Sequence, residues 1–164
     1  MGIIDRFIDR NKAFVDKFRH GDKAMPPAQR LAVLTCMDAR IHPEQALGLE
    51  IGDAHMIRNA GGRASDDAIR SLVISTTLLG TQEFAVIHHT DCGMLTFTND
   101  DLRTKLADER GVDASSIDFL PFPDLEQSVR DDVATIKASP LLLDGTEVTG
   151  WVYDVKSGKV SPVS

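Results

Sequence analysis

Apolar residues along this chain follow two rhythms. Unbroken apolar runs at 31–35 and 84–87 predict buried strands, and His55–Ile57 and Ile117–Phe119 are shorter strand candidates. Between them, apolar residues recur every three or four positions. A stripe of Ile3, Ile4, Phe7, Ile8, Phe14, Val15 and Phe18 predicts an N-terminal helix, closed off by Gly21 and Pro26-Pro27. A short helix is expected over 43–49, with Pro43 at an early position where its missing N–H costs little. Ser65 can cap a helix running to Leu79 with Ile69, Leu72, Val73 and Thr76 on one face, and Gly80 stops it. Thr98 caps a polar helix through Arg110, and Leu125, Val129, Val133 and Ile136 mark another. The segments 148–155 and around Val160 flank Ser157-Gly158 as a terminal hairpin. Alternating strands and helices predict an α/β fold, a single domain with a mainly parallel sheet flanked by helices.

Composition narrows this picture. At 164 residues, 42% hydrophobic and 26% charged, the chain fits one globular domain, expected to bury about 70% of its unfolded surface. Lys+Arg 18 against Asp+Glu 25 gives a net charge of −7, which disfavours nonspecific nucleic-acid binding. The charge is uneven: the first thirty residues hold seven Lys/Arg and four Asp/Glu. They are expected to form a helical arm (1–30) on the body of the domain (31–164). A basic amphipathic helix can lie on a membrane, but docking on the body or on a second subunit is the preferred reading. No apolar run approaches the roughly 20 residues of a membrane span, and no signal-peptide core follows Asp5, so a cytoplasmic location is expected.

Two cysteines cannot make a disulfide scaffold, which favours metal binding or catalysis for both. Cys36 ends one predicted strand in Cys36-Met37-Asp38-Ala39-Arg40, and His89-Thr90-Asp91-Cys92-Gly93 follows another. If those strands are neighbours, two thiols and an imidazole converge at one rim of the sheet, where open parallel sheets gather ligands. A Cys2His set without a fourth Cys or His is a zinc site with one position open, as catalytic zinc requires. Two thiolates cancel the ion's charge, and a water in the open position still has its pKa lowered towards about 7. Asp38 is within chain reach of the metal or its water, and Arg40 can hold a carboxylate with a bidentate fork.

These stretches, with Ile57-Arg58-Asn59-Ala60-Gly61 and Gly150-Trp151-Val152-Tyr153-Asp154, resemble the β-class carbonic anhydrases, in the family's order and over about residues 31–160. The short length and the Thr-Asp between His89 and Cys92 are most similar to the compact branch. The resemblance implies one Zn2+ per chain on Cys36, His89 and Cys92, with Asp38 and Arg40 as the catalytic pair. Asp38 is a further zinc ligand only in a closed resting state, and Gly61 and Gly93 are candidate substrate-binding positions. The implied reaction is reversible hydration of CO2 to bicarbonate and a proton, with Asp38 orienting the hydroxide and a candidate to take the proton during regeneration. A homodimer or tetramer is also implied, the N-terminal helix crossing onto the partner. Three departures stand out: Ala39 replaces a common Ser, Gly62 a common Asn, and Val33 a Trp of an inhibitory bicarbonate site, so that regulation is not expected.

Alternatives remain at this stage. Cys36 and Cys92 can be core thiols or a redox pair. His88 points opposite to His89 and is expected to be a satisfied strand residue. His42 and His55 are near the site in sequence only, with His42 a minor candidate for a proton relay. Asp91 is either an outer partner of the site or a cap, and Trp151 and Tyr153 are core or interface. A phosphate loop at Arg58–Gly62 lacks the required glycine pattern. Rival activities are hydrolysis of carbonyl sulfide or carbon disulfide on the same zinc, or a non-catalytic zinc-binding protein.

Overall fold

In the computed structural model, which describes residues 2–164, the chain runs α1 (Phe7–Val15), β1 (Leu31–Cys36), α2 (Pro43–Leu47), β2 (Ala54–Asn59), α3 (Asp66–Leu79), β3 (Glu83–His89), α4 (Asn99–Arg110), α5 (Leu125–Ala138), β4 (Glu147–Tyr153) and β5 (Val160–Val163). The strands make one sheet in the order β2-β1-β3-β4-β5. The first four are mutually parallel and β5 closes the terminal hairpin antiparallel to β4. From β1 the chain steps outward to β2, then returns to place β3 on β1's other side. The strand order therefore reverses between β1 and β3, and a crevice opens there at their carboxyl ends.

Helix boundaries follow local chemistry. Ser65 Oγ accepts from the Ala68 amide at the start of α3, and Gly80, at φ 73°, ends it. Thr98 and Asp101 form a reciprocal capping box on α4, and Asp124 caps α5 through the Gln127 amide. The core lies between the sheet and α3 and α5: Ala32, Leu34, Phe84, Val86 and Val148 meet Ala68, Leu72 and Ile136. On the opposite face, Thr35, Ile87 and Tyr153 meet Ile41, Pro43 and Leu47 around a small cavity.

Two expectations are corrected. Residues 117–119 do not form a strand, because side chains satisfy that backbone: Asn99 Oδ1 accepts from the Phe119 amide and Asp118 Oδ1 from that of Leu120. The fourth strand is β4. The N-terminal stripe is not one helix either. A 3-10 turn (Ile4–Arg6) leads into α1, which ends before Phe18. All seven stripe residues are exposed, Ile4 at 72% and Ile8 at 73%, so this chain's own body does not cover them.

Candidate metal centre

Parallel pairing aligns Thr35 with Ile87, so β1 and β3 deliver Cys36 and His89 to one rim side by side. Pleating sends His88 to the α5 face and His89 to the other, as its period of two requires. After β3 the chain turns sharply at Asp91, in the left-handed region at φ 56°, and brings Cys92 back under the rim. The Cys36, His89 and Cys92 donor atoms all lie within 4.8 Å of one another, and all three residues are buried. They pack among Ile41, Met94 and Phe122 beneath an open cleft of about 540 Å³. Asp38, Gly61 and Gly93 line that cleft, with Met37, Met94 and Phe97 as its apolar wall.

The donor set fits a soft divalent cation. His89 Nδ1–H donates to the Thr90 carbonyl at 2.9 Å, which leaves Nε2 with its lone pair free. That Nε2 is buried and has no hydrogen-bond partner among the described residues. Both cysteines are free thiols. The Cys92 thiol facing Cys36 is the main cause that brings Cys36 down to about 4, with the His89 ring and the Asp38 and Gly61 amides adding and burial opposing. Cys36 in turn, then burial, pushes Cys92 far above the ordinary thiol range. Burial disfavours a charged His89, yet the Cys36 sulfur and Asp38 raise its pKa overall. A cation bound between the two sulfurs would displace their protons. Two thiolates and an imidazole with space beside them are the ligand chemistry of catalytic zinc.

Arg40 ties the two loops of the site together. Its Nε and Nη2 donate to Asp38 Oδ1 and Oδ2 at 3.0 and 2.7 Å, while Nη1 reaches Asp91 Oδ2 at 2.7 Å and Nη2 the Asp91 carbonyl at 3.0 Å. Asp91 is therefore an ion-pair partner rather than a cap. The Arg40 side chain is 48% exposed and that of Asp38 only 17%, so the pair sits at the cleft mouth. Arg40's fork holds the Asp38 carboxyl well below the usual carboxylate range. Asp38 Oδ2 stands 3.8 Å from His89 Nε2, near enough to contact whatever occupies the centre.

The other histidines lie apart from this constellation. His55 sits toward the start of β2, the opposite end of the sheet, with Nδ1 2.7 Å from Ser75 Oγ. His42 is exposed ahead of α2, and His88 is satisfied by Ser128 and the Gly62 carbonyl. Arg58, dismissed in sequence as part of a weak phosphate loop, has a structural part: it donates to the Cys36 carbonyl at 3.0 Å and the Asp38 carbonyl at 2.8 Å. A lone arginine late in a half-buried strand was the only signal for it.

Comparison with known proteins agrees with this geometry. The family model described as carbonic anhydrase matches residues 31–118. Beta-carbonic anhydrase 1 of Mycobacterium tuberculosis is 41% identical over 166 residues, covering 100% of this chain and 99% of that protein. A carbon disulfide hydrolase of Saccharolobus solfataricus is 38% identical, covering 84% of this chain and 79% of its own length. The crystal structure of a carbonic anhydrase from Streptococcus mutans superposes with a TM-score of 0.94 at 51% identity, covering 100% of this chain and 99% of that one. With the family model spanning more than half of it and a relative matching end to end, the chain belongs to the β-carbonic anhydrase family.

Proposed function

We propose that this protein catalyses the reversible hydration of CO2 to bicarbonate and a proton, with one Zn2+ per chain held by Cys36, His89 and Cys92. The observation that carries the reading is the buried, unpartnered His89 Nε2 facing two free thiols beneath an open cleft. When bound there, zinc lowers the pKa of a water in its open position to about 7 and so supplies hydroxide at neutral pH. The protein's own groups do the rest. Asp38, an ionised acceptor, would take a hydrogen bond from that nucleophile and orient it toward the carbon of CO2. Arg40 keeps that carboxylate oriented, and Thr90 fixes the His89 ring. Because Arg40 holds Asp38 far below neutral pH in its titration, Asp38 orients rather than stores the proton, which leaves to buffer. The apolar wall of Met37, Met94 and Phe97 suits a linear, nonpolar substrate, and Gly61 and Gly93 allow it close to the centre.

A second reading, hydrolysis of carbon disulfide or carbonyl sulfide at the same centre, is supported by the carbon disulfide hydrolase relative. Parallel assays of CO2 hydration and sulfide release on one zinc-loaded sample separate the two. Faster CO2 turnover is expected, and sulfide release without CO2 turnover would reverse the assignment.

The same proposal makes the protein a homodimer or tetramer, with the exposed stripe of Ile3 to Phe18 covered by a partner subunit. No helix among the described residues is long and apolar enough to cross a membrane. A cytoplasmic location suits two cysteines that must remain reduced to bind metal.

A further inference from the structure

Behind the cleft, on the α5 face of the sheet, lies a buried polar network that the reaction does not use. Asp132 of α5 is 3% exposed. It accepts two bonds from Arg63, Nε to Oδ2 at 2.8 Å and Nη2 to Oδ1 at 3.1 Å, and its Oδ2 lies 3.1 Å from His88 Nε2. His88, fully buried, also meets the Gly62 carbonyl through Nε2 at 3.2 Å, and its Nδ1 meets Ser128 Oγ at 2.7 Å. Both Nε2 partners are acceptors, so that nitrogen carries the hydrogen. Arg63 Nη1 donates to the Leu120 carbonyl at 2.8 Å, and the Phe122 ring stacks on His88 and lies under the Arg63 guanidinium.

All these contacts converge on one segment, the turn Ala60–Gly62. Arg63 follows it directly, locked by a bond from its amide to Asn59 Oδ1. His88 holds the Gly62 carbonyl. The turn has no room to spare against β1: a Cβ at Gly62 would fall 2.9 Å from the Thr35 carbonyl carbon and 3.0 Å from the Cys36 nitrogen. At its front Gly61 lines the cleft beside Cys36, so the turn fixes the chain next to that sulfur. An outer partner that fixes the surroundings of a ligand tunes the metal that the ligand binds.

We propose that Asp132 is a positioning residue: through Arg63 and His88 it presses the 60–62 turn onto the end of β1 and keeps Gly61 packed beside Cys36. The effect on a metal rests on the reading of Cys36 as a ligand; the effect on the turn does not. Asp132 touches neither substrate nor ligand. It acts through a carboxylate that neutralises Arg63 and accepts from both neighbours, a role asparagine cannot fill because one of its two ends is a donor.

The test uses the full-length protein with Asp132→Asn, Arg63→Gln, and Asp131→Asn as a control, since Asp131 is exposed on the same helix and bonds only to its own helix neighbours. Gly61 amide exchange, read by NMR, should quicken at least about tenfold in Asp132→Asn and Arg63→Gln and stay unchanged in Asp131→Asn. In cobalt(II)-loaded protein the sulfur-to-metal charge-transfer band should shift in the same two variants and not in Asp131→Asn. Their metal affinity should fall about tenfold, as for other outer partners of ligands. Arg63→Gln breaks the ion pair from the other side, so the question is decided even if Asp132→Asn does not fold. Gly61 exchange within about twofold of the parent in a folded variant would overturn the proposal, whatever happens to melting temperature. Failure of the parent to bind cobalt would instead overturn the metal reading, with Gly61 exchange still judging the pin.

Discussion

Arg40→Ala strips from Asp38 both side-chain donors of the fork, Nε on Oδ1 at 3.0 Å and Nη2 on Oδ2 at 2.7 Å. The amide of residue 40 donates to Oδ1 at 2.8 Å and survives in alanine. Oδ1 therefore stays tethered while Oδ2 is released, and Oδ2 is the oxygen 3.8 Å from His89 Nε2. A carboxylate is itself a zinc ligand, at about 2.0–2.2 Å, so a released Oδ2 this close to the His89 donor atom would compete for the open position. Without the guanidinium the main cause of the lowered Asp38 pKa is gone, while the amide of residue 40 still opposes the effect of burial, so ligation to the metal is the expected escape. The same variant unties Asp91, and with it the loop that carries Cys92. Loss of one outer partner of a metal site costs about 10–100-fold, and two lost functions place the expected fall in kcat/KM near 100-fold. Lysine should restore little, because a point charge cannot fix the carboxylate plane. Stopped-flow CO2 hydration and a crystal structure of the variant at neutral pH check this together. If Asp38 stays clear of the metal and kcat/KM falls less than about threefold, the locking role of Arg40 is wrong.

Removing residues 1–20 should disrupt assembly, since seven exposed apolar side chains, each worth about 1.5–3 kcal/mol when buried, lose their partner; sedimentation velocity showing an unchanged oligomer refutes this. Gly150→Ala should destabilise by about 1–3 kcal/mol, because its Cβ would fall 2.5 Å from Val129 Cγ1 and 3.2 Å from Val133 Cγ2, and an unchanged melting temperature by calorimetry contradicts that. Burial alone would raise the Asp132 pKa, yet the His88 and Arg63 contacts lower it overall. A depressed carboxylate contributes stability that is present above its unfolded value of about 3.9 and lost as pH falls through the folded one. The stability gap between the parent and Asp132→Asn, from urea titrations, should therefore shrink below about pH 4; a gap that grows there has the wrong sign.

Much of this was legible in the chain, for identifiable reasons. Strands buried on both faces are unbroken apolar runs, so β1 and β3 stood out, and Cys36 and His89 mark where those runs end. Ser65, Gly80 and Thr98 mark helix ends by chemistry that acts over a few residues. Residues 117–119 misled because two apolar residues either side of Asp118 are too few to carry a period, and Asn99, far away in sequence, satisfies that backbone. The N-terminal stripe was visible, but not the end of its helix, since Phe18 continues the apolar pattern past the last helical turn. Arg63 and Asp132 were invisible as partners: their ion pair spans 69 residues, and an aspartate amid Arg130, Asp131 and Lys137 reads as solvated helix surface.

The central claim is that Cys36, His89 and Cys92 hold a zinc that turns over CO2. Stopped-flow CO2 hydration by the parent and by Cys92→Ser, with zinc content measured on the same samples, tests it most directly. The account predicts about one zinc per chain and rapid hydration in the parent, and loss of both in the variant, because a serine hydroxyl is a poor ligand at neutral pH. A Cys92→Ser protein that keeps its zinc and its CO2 turnover, or a zinc-loaded parent without turnover, would contradict it.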